Sequence, residues 1–164
     1  MIIRPNVYLL HPKISISLYI RPNLIRTPLE TYRGTVYPWH CDFIGHMNVM
    51  HYVGKFDQAT WNFLMQIGIT PSYLQNENKG MVAVEQNLKY FAELVAGNCI
   101  YITTELIEAK SKAIIFHHKM YNAETHELCA EGRMVGVHID KKSRRSVELP
   151  KEILHKISLL SNAS

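Results

Sequence analysis

Tyr37-Pro-Trp-His-Cys-Asp-Phe-Ile-Gly-His-Met-Asn48 runs directly into Val49-Met-His-Tyr-Val-Gly-Lys-Phe-Asp-Gln-Ala-Thr-Trp-Asn-Phe-Leu-Met-Gln-Ile67. The first half is a polar loop. The second half is an amphipathic helix, because Tyr52, Val53, Phe56, Thr60, Phe63, Leu64 and Ile67 recur at helical spacing. Lys55, Gln58, Asn62 and Gln66 fall off that stripe in this reading. Asn48 suits the N-cap, since its side-chain oxygen can accept from the free N–H groups of the first turn. Gly68 suits the helix stop, and Gly45 suits a loop position with positive φ.

Before the loop, Thr31 to Tyr37 reads as a first strand that Pro38 ends. Residues 1–29 read differently from the rest. Pro5, Pro12, Pro22 and Pro28 interrupt short apolar clusters, which excludes a long helix or strand there. A loose arm or translated upstream extension outside the fold is the expectation, with Ile14 to Ile20 able to add an edge strand. Beyond the helix, Thr70-Pro71-Ser72 opens a short helical turn. Four long β-patterned segments follow: Met81 to Phe91, Cys99 to Ala109, Ala113 to Ala123 and Leu128 to Asp140. Val82, Val84, Leu88 and Tyr90 share one face in strict alternation, and so do Ile100, Ile102, Thr104 and Leu106. Short turns at Ala96-Gly97-Asn98, Lys110-Ser111-Lys112 and Glu124-Thr125-His126 suggest an antiparallel meander. Pro150 opens a last helix. One helix covers such a sheet only if the sheet curls around it.

Charge and cysteine usage narrow the function classes. The net charge is +4, yet the arm holds Arg4, Lys13, Arg21 and Arg26 and no acid, so the body sets 14 basic residues against 14 acidic ones. A neutral body argues against nucleic acid as a partner. Three widely spaced cysteines, Cys41, Cys99 and Cys129, form no CxxC pair and suit a reduced, cytoplasmic setting. No apolar run is long enough to span a bilayer, so no membrane partner is expected.

Asp42-Phe-Ile-Gly-His-Met-Asn48, backed by His51-Tyr52 and Phe56-Asp57-Gln58-Ala59-Thr60, resembles the hot-dog-fold acyl-CoA thioesterases. Within them it is most similar to the 4-hydroxybenzoyl-CoA thioesterase group and its betainyl-CoA thioesterase-like branch. Glu85-Gln-Asn-Leu-Lys-Tyr90 and Ala96-Gly97-Asn98 resemble that branch's second strand and turn. The resemblance covers Thr31 to Asp140. It implies an α+β hot-dog fold over residues 30–164, with a five-stranded antiparallel sheet wrapped around one long helix. It also implies a homodimer or dimer of dimers with the site between protomers, and hydrolysis of an acyl-CoA thioester without a cofactor, coenzyme A being part of the substrate.

The resemblance makes Asp42 the catalytic carboxylate, as nucleophile or as general base to water; alone, a loop aspartate also makes an Asx-turn. N–H groups near Val49 and Met50 point out of the helix start, where the dipole adds positive potential, and could hold an oxyanion. His46 and Asn48 either orient Asp42 or a water, or line the acyl pocket; otherwise His46 packs and Asn48 only caps the helix. Glu85 either acts on the substrate, as a base or toward a cationic acyl group, or is a solvated residue paired with Lys89. Trp39, Trp61 and tyrosines such as Tyr52 could face the acyl group, with cation–π contacts where it is cationic. Lys112, Arg144 and Arg145 either meet the CoA phosphates or form solvated turns. Adjacent His117 and His118 point to opposite faces, and no metal pattern appears, so no metal is expected. His40 and Cys41 read as scaffold. The competing functions are a non-catalytic acyl-CoA-binding module and an enoyl-CoA hydratase or dehydratase with Asp42 and His46 as its pair.

Overall fold

The computed structural model describes residues 28–161, so the possible strand at Ile14 to Ile20 lies outside the described residues. In chain order the elements are β1 (Leu29–Thr35), α1 (Val49–Gln66), α2 (Pro71–Asn76), β2 (Lys79–Tyr90), β3 (Cys99–Ala109), β4 (Ala113–Asn122), β5 (Leu128–Asp140) and α3 (Lys151–Ser161). The five strands form one antiparallel sheet in the order β1-β3-β4-β5-β2, and the sheet wraps around α1.

That order corrects the meander. β3, β4 and β5 do pair as successive hairpins, but β2 does not pair with β3. The chain leaves β2 at one sheet edge and enters β3 beside β1. Gly97, at φ 97°, turns the chain there, and its N–H donates to Val36 O at 2.8 Å while Val36 N–H donates to Asn98 O at 2.8 Å. The Ala96-Gly97-Asn98 turn thus docks on the end of β1 instead of closing a β2–β3 hairpin. Turn chemistry marks where a chain bends, and the crossover depends on which strand edge is free to receive it.

The β2 face is also corrected. Register shifts between Ala83 and Glu85, so Val84 is a bulge residue and stands 61% exposed. After the bulge, Gln86, Leu88 and Tyr90 pair with Met134, Gly132 and Ala130 on the helix side, whereas Val82 and Glu85 pair with Val137 and Val135 on the outer side. One inserted residue reverses the parity that strict alternation assumes. β3 keeps the expected alternation, with Ile100, Ile102 and Thr104 fully buried.

The core sits between α1 and the sheet. Phe56, Ala59, Phe63 and Leu64 of α1 pack among Ile100, Ile102, Ile114, Phe116, Met120, Ala130 and Met134. The Phe63 and Phe116 rings lie 5.2 Å apart. Two polar residues expected off the stripe instead tie α1 to β1. Lys55 is buried, and its Nζ donates to Tyr32 Oη at 3.2 Å and Thr35 O at 3.4 Å. Asn62 Nδ2 donates to Thr31 O at 2.7 Å. Val53 is 37% exposed. The buried arc is therefore rotated toward β1, and it tolerates a lysine because its ammonium finds oxygen partners.

A second polar line crosses the core. His118 is fully buried, stacked on Phe56 at 5.6 Å. Thr60 Oγ1 donates to Phe56 O, so it accepts from His118 Nε2 at 2.9 Å. His118 Nδ1 then accepts from Thr104 Oγ1 at 2.7 Å, and the Thr31 hydroxyl proton is shared between Thr104 Oγ1 at 2.6 Å and Ile102 O at 3.3 Å. This line pins β1, β3, β4 and α1 through a neutral imidazole. Burial, helped by neighbouring His117, pulls its pKa down to about 3.

Candidate active site

The loop before α1 is closed on itself by its backbone. Asp42 N–H donates to His46 O at 3.1 Å, Gly45 N–H donates to Asp42 O at 3.0 Å, and Asn48 N–H donates to His40 O at 2.9 Å. Gly45 sits at φ 99°, which is the conformation a tight reversal requires there. Met47, almost fully buried, donates its N–H to Leu94 O at 2.7 Å and anchors the loop to the core. Cys41 bridges to Met47 and packs against the core.

Within this frame the Asp42 carboxylate has two partners. Oδ1 accepts from Ile44 N–H at 2.9 Å, an Asx-turn, and Oδ2 accepts from Asn48 Nδ2 at 3.3 Å. Asn48 also caps α1, its Oδ1 accepting from Met50 N–H at 3.0 Å. The Asx-turn and the helix cap therefore meet in one side chain. Of the two N–H groups expected to face a carbonyl, that of Met50 is occupied by this cap. Among the described residues no hydrogen bond occupies Val49 N–H, which stays free at the positive end of an 18-residue helix.

Next to this point runs a groove of about 330 Å³, lined by His46, Met47, Val49, Tyr52, Tyr90, Phe91, Ala92 and Glu93. Tyr52 is 4% exposed and its ring meets that of Tyr90 edge-on at 5.1 Å. Burial pushes the Tyr52 hydroxyl up to about 12. His46 lines the groove, but its Nδ1 turns to Met47 O at 3.5 Å, and no hydrogen bond joins it to the Asp42 side chain among the described residues. Trp39 lies in the short turn Pro38–His40, 69% exposed, stacked on Tyr37 at 4.5 Å. His40 Nδ1 accepts from Tyr37 N–H at 3.0 Å. Burial, then the charges of Lys55 and His51, hold its pKa below the usual imidazole value, which suits that accepting role.

Other candidate residues do not join this cluster within one chain. Glu85 faces away from α1, on the outer side of the sheet, and pairs with Arg133 at 2.6 Å. Lys89 pairs instead with Glu131 at 2.9 Å. Lys112, Arg144 and Arg145 are exposed at the far end of the sheet. The pairing of β2 with β5 runs from Tyr90–Ala130 beside the groove to Lys79–Asp140 beside those residues. Ten steps at about 3.3 Å per residue put the two ends roughly 33 Å apart. Glu93 and Phe91 were missed by sequence reasoning. They lie in the β2–β3 connection, and only the crossover topology brings that connection to the start of α1.

The model of the thioesterase-like superfamily matches residues 36–157, nearly the whole described chain. The chain belongs to this superfamily. Similar proteins include the L-carnitine dehydrogenase/betainyl-CoA thioesterase of Agrobacterium fabrum, 28% identical over 134 residues, which are 82% of this chain and 27% of that protein. The corresponding Rhizobium sp. protein is 25% identical over 74% of this chain and 24% of its own length. The chain thus spans about a quarter of the length of these curated relatives. Among solved structures, a Staphylococcus aureus protein in complex with CoA aligns with a TM-score of 0.77 at 19% identity, covering 81% of this chain and 84% of that one. A 1,4-dihydroxy-2-naphthoyl-CoA thioesterase from Synechocystis aligns with a TM-score of 0.71 at 18% identity, covering 80% and 97%. These likenesses establish the hot-dog fold that the resemblance implied. Among the described residues no helix is long and apolar enough to cross a membrane.

Proposed function

We propose that this chain is an acyl-CoA thioesterase in which Asp42 activates water or attacks the thioester directly, and Val49 N–H holds the carbonyl oxygen. The observation that carries this reading is the Asn48 side chain, which holds the Asp42 carboxylate beside the free end of α1. Negative charge builds on the carbonyl oxygen as the C–O bond forms, and a preformed N–H at a helix start stabilises it without reorganisation. Collapse breaks the C–S bond and releases CoA as a thiolate, a good leaving group that needs little acid help. The chemistry calls on no cofactor, CoA being part of the substrate. Superfamily membership supports thioester hydrolysis over mere CoA-ester binding. The His46 Nδ1 contact with Met47 O, with no hydrogen bond from the ring to the Asp42 side chain among the described residues, supports hydrolysis over the hydratase reading.

The same reading makes the active form a homodimer. β2 is an edge strand of 12 residues, and a long edge of free N–H and C=O groups is a template for pairing with a second copy. Antiparallel β2–β2 pairing would bring the partner's Lys112, Arg144 and Arg145 end toward this chain's Tyr90 end, where CoA phosphates can meet guanidinium groups.

A panel of acyl-CoA esters, with betainyl-CoA from the name of the relatives among them, tests the reading by release of free thiol. Asp42→Asn and Asp42→Ala should each lose about a hundredfold or more in kcat. Full rate in both variants, or no ester cleaved by the parent chain, overturns it.

A further inference from the structure

His40 is tied to its surroundings at three points. Its N–H donates to Tyr37 O at 2.9 Å, its carbonyl oxygen accepts from Asn48 N–H at 2.9 Å, and its ring Nδ1 accepts from Tyr37 N–H at 3.0 Å. The first and third bonds close the short turn Pro38–His40. The second joins that turn to the residue that caps α1 and holds the Asp42 carboxylate. Next along the chain, Cys41 bridges to Met47, and Asp42 N–H donates to His46 O. His40 and Asn48 are therefore the neck of the reactive loop, and the ring bond to Tyr37 fastens the neck to the end of β1.

That ring bond fixes where a proton can go. A backbone N–H only donates, so Nδ1 is the bare nitrogen and Nε2 carries the hydrogen of the neutral ring. A second proton must enter at Nδ1, where it would meet Tyr37 N–H across 3.0 Å, donor against donor. The groups packed around the ring do not compensate it. From α1, the His51 ring lies 4.6 Å away and the buried Lys55 ammonium adds like charge. From β1, Tyr32 turns its hydroxyl to Lys55, and within the loop Cys41 turns its Sγ to Tyr37 O. The Asp42 carboxylate is already held by Ile44 N–H and Asn48. Among the described residues no ion pair includes His40, His51 or Lys55. We infer that His40 is a positioning residue for Asp42, latching the reactive loop while its ring is neutral and releasing it on protonation. The inference rests on the thioesterase reading for the role of Asp42. His40 acts through Tyr37 and Asn48 and takes no part in the C–S cleavage itself. Burial, then Lys55 and His51, place its pKa below the ordinary imidazole value of 6.5, so the latch is closed at neutral pH and opens as pH falls through that lower value.

The test follows kcat of the parent, His40→Ala and His40→Asn over the pH range in which circular dichroism shows each chain folded. His40→Ala has no acceptor for Tyr37 N–H and should lose about tenfold at every pH. His40→Asn sets an oxygen where Nδ1 stands and takes up no proton there, so it should restore most of the rate. The parent should match His40→Asn near about pH 8 and fall toward His40→Ala below 6.5. The ratio of parent to His40→Asn cancels every titrating group that the two chains share. A ratio that stays flat in acid, full rate in His40→Ala, or no recovery in His40→Asn overturns the inference while thioester hydrolysis stands. His51→Asn should keep the acid fall, and its disappearance there would assign the response to His51 instead. NMR titration of the chain without any ester reads the latch directly. The His40 ring should carry its hydrogen on Nε2, and the Asn48 amide signals should move at the His40 midpoint. A ring with its hydrogen on Nδ1, or Asn48 signals that ignore the His40 titration, sinks the latch. Failure to cleave any CoA ester sinks only the thioesterase reading, and the titration then decides the latch alone.

Discussion

The Asn48 amide joins the Asp42 carboxylate to the start of α1, donating to Asp42 Oδ2 at 3.3 Å while its carbonyl oxygen accepts from Met50 N–H at 3.0 Å. Capping and carboxylate positioning are separate jobs of one side chain, so they can be separated by substitution. Asn48→Ser keeps an N-cap oxygen and loses the amide donor; Asn48→Ala loses both. The alanine variant should be less stable by about 1 kcal/mol, and the serine variant should regain most of that. Thiol release should fall about tenfold in both, because neither holds Asp42. Urea unfolding and steady-state kinetics on the same samples check the split. Recovery of activity in Asn48→Ser along with stability would show that the cap alone matters.

The neutral His118 gives fold stability a defined pH window. Burial lowers its folded pKa from 6.5 to about 3. The unfolded imidazole takes up a proton below about pH 6.5 and the folded one does not, so acid favours the unfolded chain. The contribution of His118 is thus complete above pH 6.5, is lost as pH falls toward 3, and amounts to at most about 5 kcal/mol. His118→Gln should be less stable at neutral pH, since its amide cannot reproduce both threonine contacts. Its stability should also fall less steeply between those pH values. Urea midpoints over that range measure the slope, and equal slopes in parent and variant would assign the acid sensitivity to other groups.

The parts of the fold that could be read from the chain are those fixed by neighbours in sequence. The Asn48 cap, the Gly68 stop and the span of α1 depend on groups a few residues apart, and the helix forms from Val49 to Gln66 as the periodicity implies. The β4 and β5 boundaries were legible for the same reason. What was not legible is set by distant partners. Val84 reads as one more alternating apolar residue until its pairing with β5 shows the bulge, and Lys55 reads as solvent-facing until Tyr32 and Thr35 supply its oxygens. The site divides along the same line. Asp42, His46 and Asn48 share one loop and were found together, whereas Phe91 and Glu93 reach the groove only through the crossover between β2 and β3.

The CoA phosphates should be held by the partner chain's arginines. Lys79 and Ser143 fix Asp140, which closes the turn carrying Arg144 and Arg145, so the two arginines are presented on a built turn. Within one protomer that turn is roughly 33 Å along the sheet from the groove, beyond direct contact with a thioester held at Val49. Antiparallel pairing of two β2 edges removes this separation by reversing the partner. In a homodimer, Arg144→Ala with Arg145→Ala should therefore raise KM for a CoA ester about tenfold and leave KM for the corresponding N-acetylcysteamine thioester, which lacks the phosphates, unmoved. Mixed dimers locate the arginines. One chain carries Asp42→Ala with its arginines intact, and the other carries both arginine substitutions with Asp42 intact. If the phosphates are held across the interface, the intact carboxylate meets the intact arginines in one of the two sites, and half of the parent activity returns at low substrate. If they are held within one chain, neither site is whole and no activity above that of the two separate variants appears. Val84→Lys, which sets a charge on the exposed β2 bulge, should shift the sedimentation mass toward the monomer and raise KM for the CoA ester in parallel. A monomeric parent chain with full activity would remove the interface from the mechanism.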